Sequence, residues 1–112
     1  NIDNEDQILS FSEPNSLKCV NPSDFIKSVE NSNIIDVRTK NEFNNGTYKA
    51  SQNIPLSTIG QEIDNISDNS YVFCAGGYRS VIACSILMKN GKKDLINILE
   101  GYSGINKQIK SQ

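Results

Sequence analysis

The amino-acid sequence contains no histidine, no tryptophan and only three cysteines. The absence of histidine excludes Ser-His and Cys-His catalysis, metal sites with histidine ligands and imidazole acid or base chemistry. The cysteines, Cys19, Cys74 and Cys84, are odd in number, irregularly spaced and without a CxxC pair. This pattern argues against a disulfide framework and favours a reducing compartment, so a cytoplasmic location is expected. We expect neither a metal ion nor another cofactor.

Long apolar runs and clusters of like charge are also missing. No apolar run approaches the roughly 20 residues of a membrane-spanning helix, and the N-terminus has no basic and apolar leader. The net charge is −2, and acidic and basic residues are interspersed. Without a basic stripe, a nucleic-acid partner is not expected, and a membrane partner is not expected either. The length of 112 residues fits one small domain.

The first part of the chain differs in composition from the rest. Residues 1–16 are polar, rich in Asn, Asp, Glu and Ser, and have no sustained period, which predicts a tail or linker. Residues 17–112 are predicted to form the folded domain. The chain begins at Asn1 rather than at methionine, as expected of a trimmed chain, a processed chain or a domain of a longer protein.

From residue 17 onward, short apolar runs alternate with segments of helical period. Strands are predicted at residues 17–20, 34–37, 52–56, 71–74 and 95–99. Helices are predicted between successive strands and after the last one. This alternation is typical of an α/β fold in which a five-stranded parallel sheet is covered by helices on both faces.

Local signals place the ends of these helices. Asn21 and Thr39 are N-cap residues for the first two helices, the second with a capping box completed by Glu42. Ser57 or Thr58 is the expected cap of the third helix, in which isoleucines recur at helical spacing. The helix over residues 79–90 is apolar on nearly every side, so we predict that it is buried all round.

The loop after the fourth strand carries the chemistry. Backbone N–H groups at the start of a helix have no intrahelical partner, so they favour a thiolate or a bound anion. Two adjacent glycines allow positive φ, which lets several N–H groups point at one atom. We predict that Cys74 is a nucleophile. The loop that holds its sulfur is Ala75, Gly76, Gly77, Tyr78, Arg79 and Ser80.

Three charged residues are candidates for supporting roles. Asp36 and Arg38 end a strand parallel to the one before Cys74, so they are expected at the same edge of the sheet. Arg38 and Glu42 are expected to form either an ordinary surface or capping pair or part of the site. Tyr78 is either an exposed loop aromatic or a wall that faces the substrate.

Several motifs together resemble the rhodanese family of single-domain sulfurtransferases. They are Ile35-Asp36-Val37-Arg38, the segment from Glu42-Phe43 through Ala50 to Leu56, and Phe73-Cys74-Ala75-Gly76-Gly77-Tyr78-Arg79-Ser80. They follow one another in the family's order. The ending Leu99-Glu100-Gly101-Tyr102 resembles the family's Glu-Gly-Gly-aromatic ending, with one glycine replaced by tyrosine.

The resemblance implies a rhodanese-like fold and a function. Cys74 would carry a sulfane sulfur taken from thiosulfate or a low-molecular-weight persulfide, with a thiol or cyanide as the acceptor. Asp36 would help to orient the loop or its arginine. Two departures from the family are the pair Gly46-Thr47, which stands where Gly-His is common, and the lack of a tryptophan in the last helix.

Other functions stay open on the sequence alone. A cysteine phosphatase or arsenate reductase has a Cys-x5-Arg loop, whereas Cys74 and Arg79 form the shorter Cys-x4-Arg, which makes this function the weaker candidate. A rhodanese module without catalysis, or one that relays sulfur to a partner protein, is the other alternative. The loop also resembles those of rhodanese domains fused to metallo-β-lactamase-like persulfide-oxidising enzymes, so a fused or partner enzyme domain is a candidate partner.

Overall fold

The computed structural model describes residues 17–111. Within this range five parallel strands form one sheet of order β1-β5-β4-β2-β3, namely β1 (Lys18–Val20), β2 (Ile34–Asp36), β3 (Gln52–Asn53), β4 (Tyr71–Phe73) and β5 (Ile96–Ile98). The same range contains four α-helices, α1 (Pro22–Ser28), α2 (Lys40–Asn44), α3 (Arg79–Lys89) and α4 (Gly101–Ser111). The predicted α/β fold is confirmed. The predicted tail, residues 1–16, lies outside the described residues.

Side chains of the strands alternate between two buried faces of the sheet. In β4, Val72 belongs to one face, and Tyr71 and Phe73 belong to the other. The first face is covered by α3 and by two short 3₁₀ helices, Leu56–Gln61 and Ile63–Asn65. The second face is covered by α1 and α4, which pack against each other. Because both of its faces are buried, the central strand β4 is apolar along its whole length.

The first two helices begin where the sequence predicts. The side chain of Asn21 accepts a hydrogen bond from the N–H of Asp24 at 2.8 Å and so caps α1. Thr39 accepts from the N–H of Glu42, whose carboxylate accepts from the N–H of Thr39, and this capping box begins α2. Both predictions are confirmed.

The isoleucine-rich segment after β3 differs from its prediction. It forms the two 3₁₀ helices rather than one helix capped by Ser57 or Thr58. The two 3₁₀ helices begin after Pro55 and Glu62, and neither has a side-chain cap; the hydroxyl of Thr58 donates to the carbonyl of Pro55 at 3.2 Å. Ile59 and Ile66 are nevertheless buried, because i to i+3 turns still bring them onto the sheet.

The prediction that α3 is buried on every side is wrong. Ser80, Ala83 and Leu87 are buried, whereas Val81 and Ile82 are exposed. The helix packs on the sheet with one side only, and composition does not specify which side that is. Neither α3 nor any other helix among residues 17–111 is long and apolar enough to cross a lipid bilayer.

Candidate active site

Cys74 directly follows β4, which lies between β2 and β5. Asp36, the last residue of β2, pairs in register with Phe73, the last residue of β4. Asp36 and Cys74 therefore lie at the same carboxyl edge of the sheet, where parallel α/β folds bind their ligands. The residues after Cys74 form a short loop that ends where α3 begins at Arg79.

The loop surrounds the buried sulfur of Cys74 with hydrogen-bond donors. Sγ accepts from the N–H of Gly77 at 3.1 Å and from the N–H of Ser80 at 3.3 Å. The Cys74 thiol lies 3.6 Å from the hydroxyl oxygen of Ser80 and can donate to it. The N–H groups thus converge on one atom, and the donor furthest along the chain is the second residue of α3.

These donors change the acidity of the sulfur. Burial raises the pKa of the Cys74 thiol, but hydrogen bonds from the hydroxyl and N–H of Ser80 and from the N–H groups of Gly77 and Gly76 outweigh it. The pKa of Cys74 is therefore lower than the usual value for cysteine. Burial without such donors raises the pKa of Cys84 to about 12. Of these two buried thiols, Cys74 is the one suited to nucleophilic attack.

The start of α4 holds the backbone of the loop. The N–H of Tyr102 donates to the carbonyl of Cys74 at 2.7 Å, and the N–H of Ser103 donates to the carbonyl of Ala75 at 3.1 Å. Gly101 packs so closely beneath them that a Cβ there would collide with the Cys74 carbonyl oxygen. These two hydrogen bonds anchor the start of the loop, from which the N–H groups of Gly77 and Ser80 face the sulfur.

Two neighbouring positions at this corner require a left-handed backbone. Glu100 has φ of +62° and Gly101 has φ of +55°. Glycine adopts this conformation without the steric cost of a Cβ, whereas Glu100 carries that cost. That Tyr102 replaces a glycine of the family's ending stays a prediction.

Arg79 forms an ion pair with Glu42 through two hydrogen bonds. Its two terminal nitrogens donate to the two carboxylate oxygens at 2.9 and 3.0 Å. The hydrogen bonds from Arg79 and from the N–H of Thr39 hold the pKa of Glu42 at about 2. Glu42 therefore makes two kinds of contact, because it caps α2 and joins α2 to the end of the Cys74 loop.

Arg38 pairs with Asp36 and not with Glu42. Nη2 of Arg38 donates to Oδ2 of Asp36 at 2.7 Å, and the guanidinium lies 4.4 Å from the centre of the Tyr102 ring. Thr47, which stands where the family often has histidine, donates its hydroxyl proton to Asp36 at 2.8 Å. This buried network joins β2 to the start of α4. Asp36 pairs with Arg38 and not with the loop's Arg79, so a role of Asp36 in orienting the loop stays a prediction. An Arg38–Glu42 surface pair, one of the two expectations, does not form.

Tyr78 is 78% exposed at the end of the loop. This exposure agrees with the first of the two expectations for Tyr78, an exposed aromatic residue in the loop. The second, a contact with the substrate, stays a prediction. Sequence reasoning missed Asn97, which accepts a hydrogen bond from the Ser80 hydroxyl at 2.5 Å. The signal for it was a single polar residue inside the apolar run of β5, between Ile96 and Ile98.

Comparison with known proteins agrees with this geometry. The family model of the rhodanese-like domain matches residues 21–108. YqhL of Bacillus subtilis is 31% identical over 98 residues, which cover 86% of this chain and 78% of YqhL. A putative mitochondrial thiosulfate sulfurtransferase of Schizosaccharomyces pombe is 31% identical over 94 residues, which cover 70% of this chain and 66% of that protein.

A solved structure extends the comparison to the fold. The rhodanese-like domain protein of Staphylococcus aureus has a TM-score of 0.73 and 28% identity, and the match covers 80% of this chain and 91% of that chain. The family match includes strands β2 to β5 and the whole Cys74 loop. Since both comparisons span most of the chain, it belongs to the family of rhodanese-like domains.

Proposed function

We propose that the chain is a sulfurtransferase in which Cys74 accepts a sulfane sulfur from thiosulfate or a low-molecular-weight persulfide and passes it to a thiol or to cyanide. One observation carries the proposal, namely the convergence of the Gly77 and Ser80 N–H groups on the buried sulfur of Cys74. Such fixed donors stabilise negative charge on sulfur as an oxyanion hole stabilises it on oxygen. The similarity to a putative thiosulfate sulfurtransferase supports this class of reaction.

The proposed reaction has two covalent steps at Cys74. In the first step the thiolate attacks the outer sulfur of the donor. The sulfur–sulfur bond of the donor breaks, and its electron pair leaves with sulfite or with the donor thiolate. In the second step the acceptor attacks the outer sulfur of the Cys74 persulfide, and the electron pair of the broken bond restores the thiolate. Each step exchanges one bond to sulfur for another, so no external oxidant or reductant is consumed.

The charge around the loop favours a persulfide over thiosulfate as the donor. The loop side chains from Ala75 to Tyr78 are uncharged, and Arg79 already shares its positive charge with Glu42. A dianion such as thiosulfate therefore gains less from Arg79 than it would from an unpaired arginine. The same pairing disfavours phosphate chemistry, in which the loop arginine must hold an oxyanion.

A sulfur-relay module that passes its sulfur to a partner protein is the second candidate. Tyr78, Val81 and Ile82 are exposed apolar residues next to the loop, and such residues favour contact with a protein. This candidate shares the Cys74 persulfide with the first one. The two differ in whether a small acceptor is sufficient for turnover.

Mass spectrometry of the intact protein tests the proposal. After incubation with thiosulfate or glutathione persulfide and removal of the donor, we expect a mass gain of one sulfur atom. Cys74→Ser should abolish the gain, and Cys84→Ser, which changes the other buried thiol, should retain it. Added cyanide should then remove the sulfur as thiocyanate. If neither donor gives an adduct on the folded protein, sulfur transfer through Cys74 is excluded.

A further inference from the structure

Asn97 is a polar side chain in the interior of the sheet. It is 1% exposed and lies in β5, level with Cys19 on one neighbouring strand and Val72 on the other. Asparagine is disfavoured in strands, and burying its carboxamide is costly unless the group is hydrogen-bonded. The contacts of this side chain therefore indicate what it does there.

Both ends of the Asn97 carboxamide have partners. Its oxygen accepts the hydroxyl proton of Ser80 at 2.5 Å, and its nitrogen faces the sulfur of Cys19 at 3.7 Å. The Ser80 oxygen lies 3.6 Å from the sulfur of Cys74. Asn97 thus reaches the nucleophile through a single hydroxyl group, although it lies 17 residues after Ser80 in the chain.

The Ser80 hydroxyl has only one proton to donate. When Cys74 is a thiol, its S–H donates to Ser80, and Ser80 donates to Asn97, so that all three groups are satisfied. When Cys74 is a thiolate, its sulfur can only accept. The sulfur and the Asn97 oxygen then compete for the same proton, and whichever does not receive it loses a hydrogen bond.

We propose that Asn97 is a positioning residue that holds the Ser80 hydroxyl proton and releases it to Cys74 when the sulfur is ionised. The inference rests on the proposed function in that Cys74 is taken to be the nucleophile. In the Cys74 persulfide the negative charge lies on the outer sulfur, so the proton returns to Asn97. Because Asn97 competes with the thiolate, it makes the thiolate less stable than Ser80 alone would.

Other titratable groups lie near Cys74 or Asn97 on the neighbouring elements. They are Arg79 and Cys84 in α3, Cys19 in β1, Asp36 in β2 and Tyr102 in α4. None of them is removed by a substitution at position 97. A change in the ionisation of Cys74 that also requires the Ser80 hydroxyl can therefore be assigned to the shared proton.

A double-mutant cycle tests the inference. Asn97→Leu keeps the size of the side chain and removes the acceptor, so the Ser80 proton becomes available to the thiolate. We expect the pH midpoint of Cys74 alkylation by iodoacetamide, located by peptide mass spectrometry, to fall by about one unit. Ser80→Ala should raise the midpoint. In the Ser80→Ala protein, Asn97→Leu should have no further effect.

Alkylation needs no sulfur donor, so its result is independent of whether sulfur transfer occurs. The inference is overturned if Asn97→Leu leaves the midpoint unchanged, or if it lowers the midpoint equally in the Ser80→Ala protein. Asn97→Val suits a strand and gives the same comparison if the leucine variant does not fold. Asn97→Asp keeps an acceptor and adds negative charge, so it should raise the midpoint; a fall would also contradict the inference.

Discussion

Both arginines of the chain pair with a carboxylate, but the two pairs have different surroundings. Arg38 and Asp36 are buried, with the Tyr102 ring packed against the guanidinium. In the other pair the side chains of Arg79 and Glu42 remain 33% and 36% exposed. The first pair belongs to the core, and the second lies at the end of the Cys74 loop, where solvent reaches it.

Because the two pairs differ in exposure, we expect one to affect mainly the stability of the fold and the other mainly the reaction at Cys74. Removing one partner of a buried ion pair leaves an uncompensated charge in the interior, which is costly. An exposed pair contributes little to stability, because solvent screens it and its side chains lose entropy when they are ordered. The Arg79–Glu42 pair can therefore set the charge near Cys74 without deciding whether the domain folds.

The largest expected effect comes from breaking the buried pair. Asp36→Asn leaves the charge of Arg38 buried, and we expect the free energy of unfolding to fall by about 3 to 5 kcal/mol. Urea denaturation measures the change. The matched control is Asp94→Asn, which breaks the exposed pair with Lys18 and should cost less than about 1 kcal/mol. Equal losses in both variants would contradict the contrast between buried and exposed pairs.

Breaking the exposed Arg79–Glu42 pair is expected to have a smaller effect, which is a change in the preference between the two sulfur donors. Glu42→Gln keeps a residue that can complete the capping box but removes the charge that offsets Arg79. We expect kcat/KM for thiosulfate to rise about fivefold relative to that for glutathione persulfide, which corresponds to about 1 kcal/mol of charge interaction. The gain should shrink at high salt. A fall with both donors would show instead that Glu42 is needed to position Arg79.

The smallest effect is the dependence of stability on pH. The pKa of Glu42 is lowered from 4.5 to about 2, so its carboxylate stabilises the folded state above pH 4.5, and this contribution is lost as the pH falls toward 2. Exposure keeps the contribution below about 1 kcal/mol. The difference in unfolding free energy between the native protein and Glu42→Gln should therefore shrink between pH 6 and pH 3. A difference that does not change with pH would contradict this role of the carboxylate.

The parts of the fold that sequence reasoning predicted correctly depend on neighbours in the chain. The caps at Asn21 and Thr39 act on residues three positions later, and the Cys74 loop brings its own glycines. The errors concern choices that local sequence leaves open. The apolar composition of α3 does not say which side meets the sheet, and isoleucine spacing in residues 56–65 does not distinguish α from 3₁₀ turns.

The candidate site also combines features that local sequence predicts with features that it leaves open. The residue types in the loop from Cys74 to Ser80 are sufficient to predict a nucleophilic sulfur among backbone N–H groups, because these donors lie within six residues of it. Only the tertiary structure decided that Glu42, 37 residues from Arg79, pairs with it, and that Asn97 accepts a hydrogen bond from the Ser80 hydroxyl. A hydrogen bond or ion pair depends on distance in space, and the sequence specifies that distance only between residues close together in the chain.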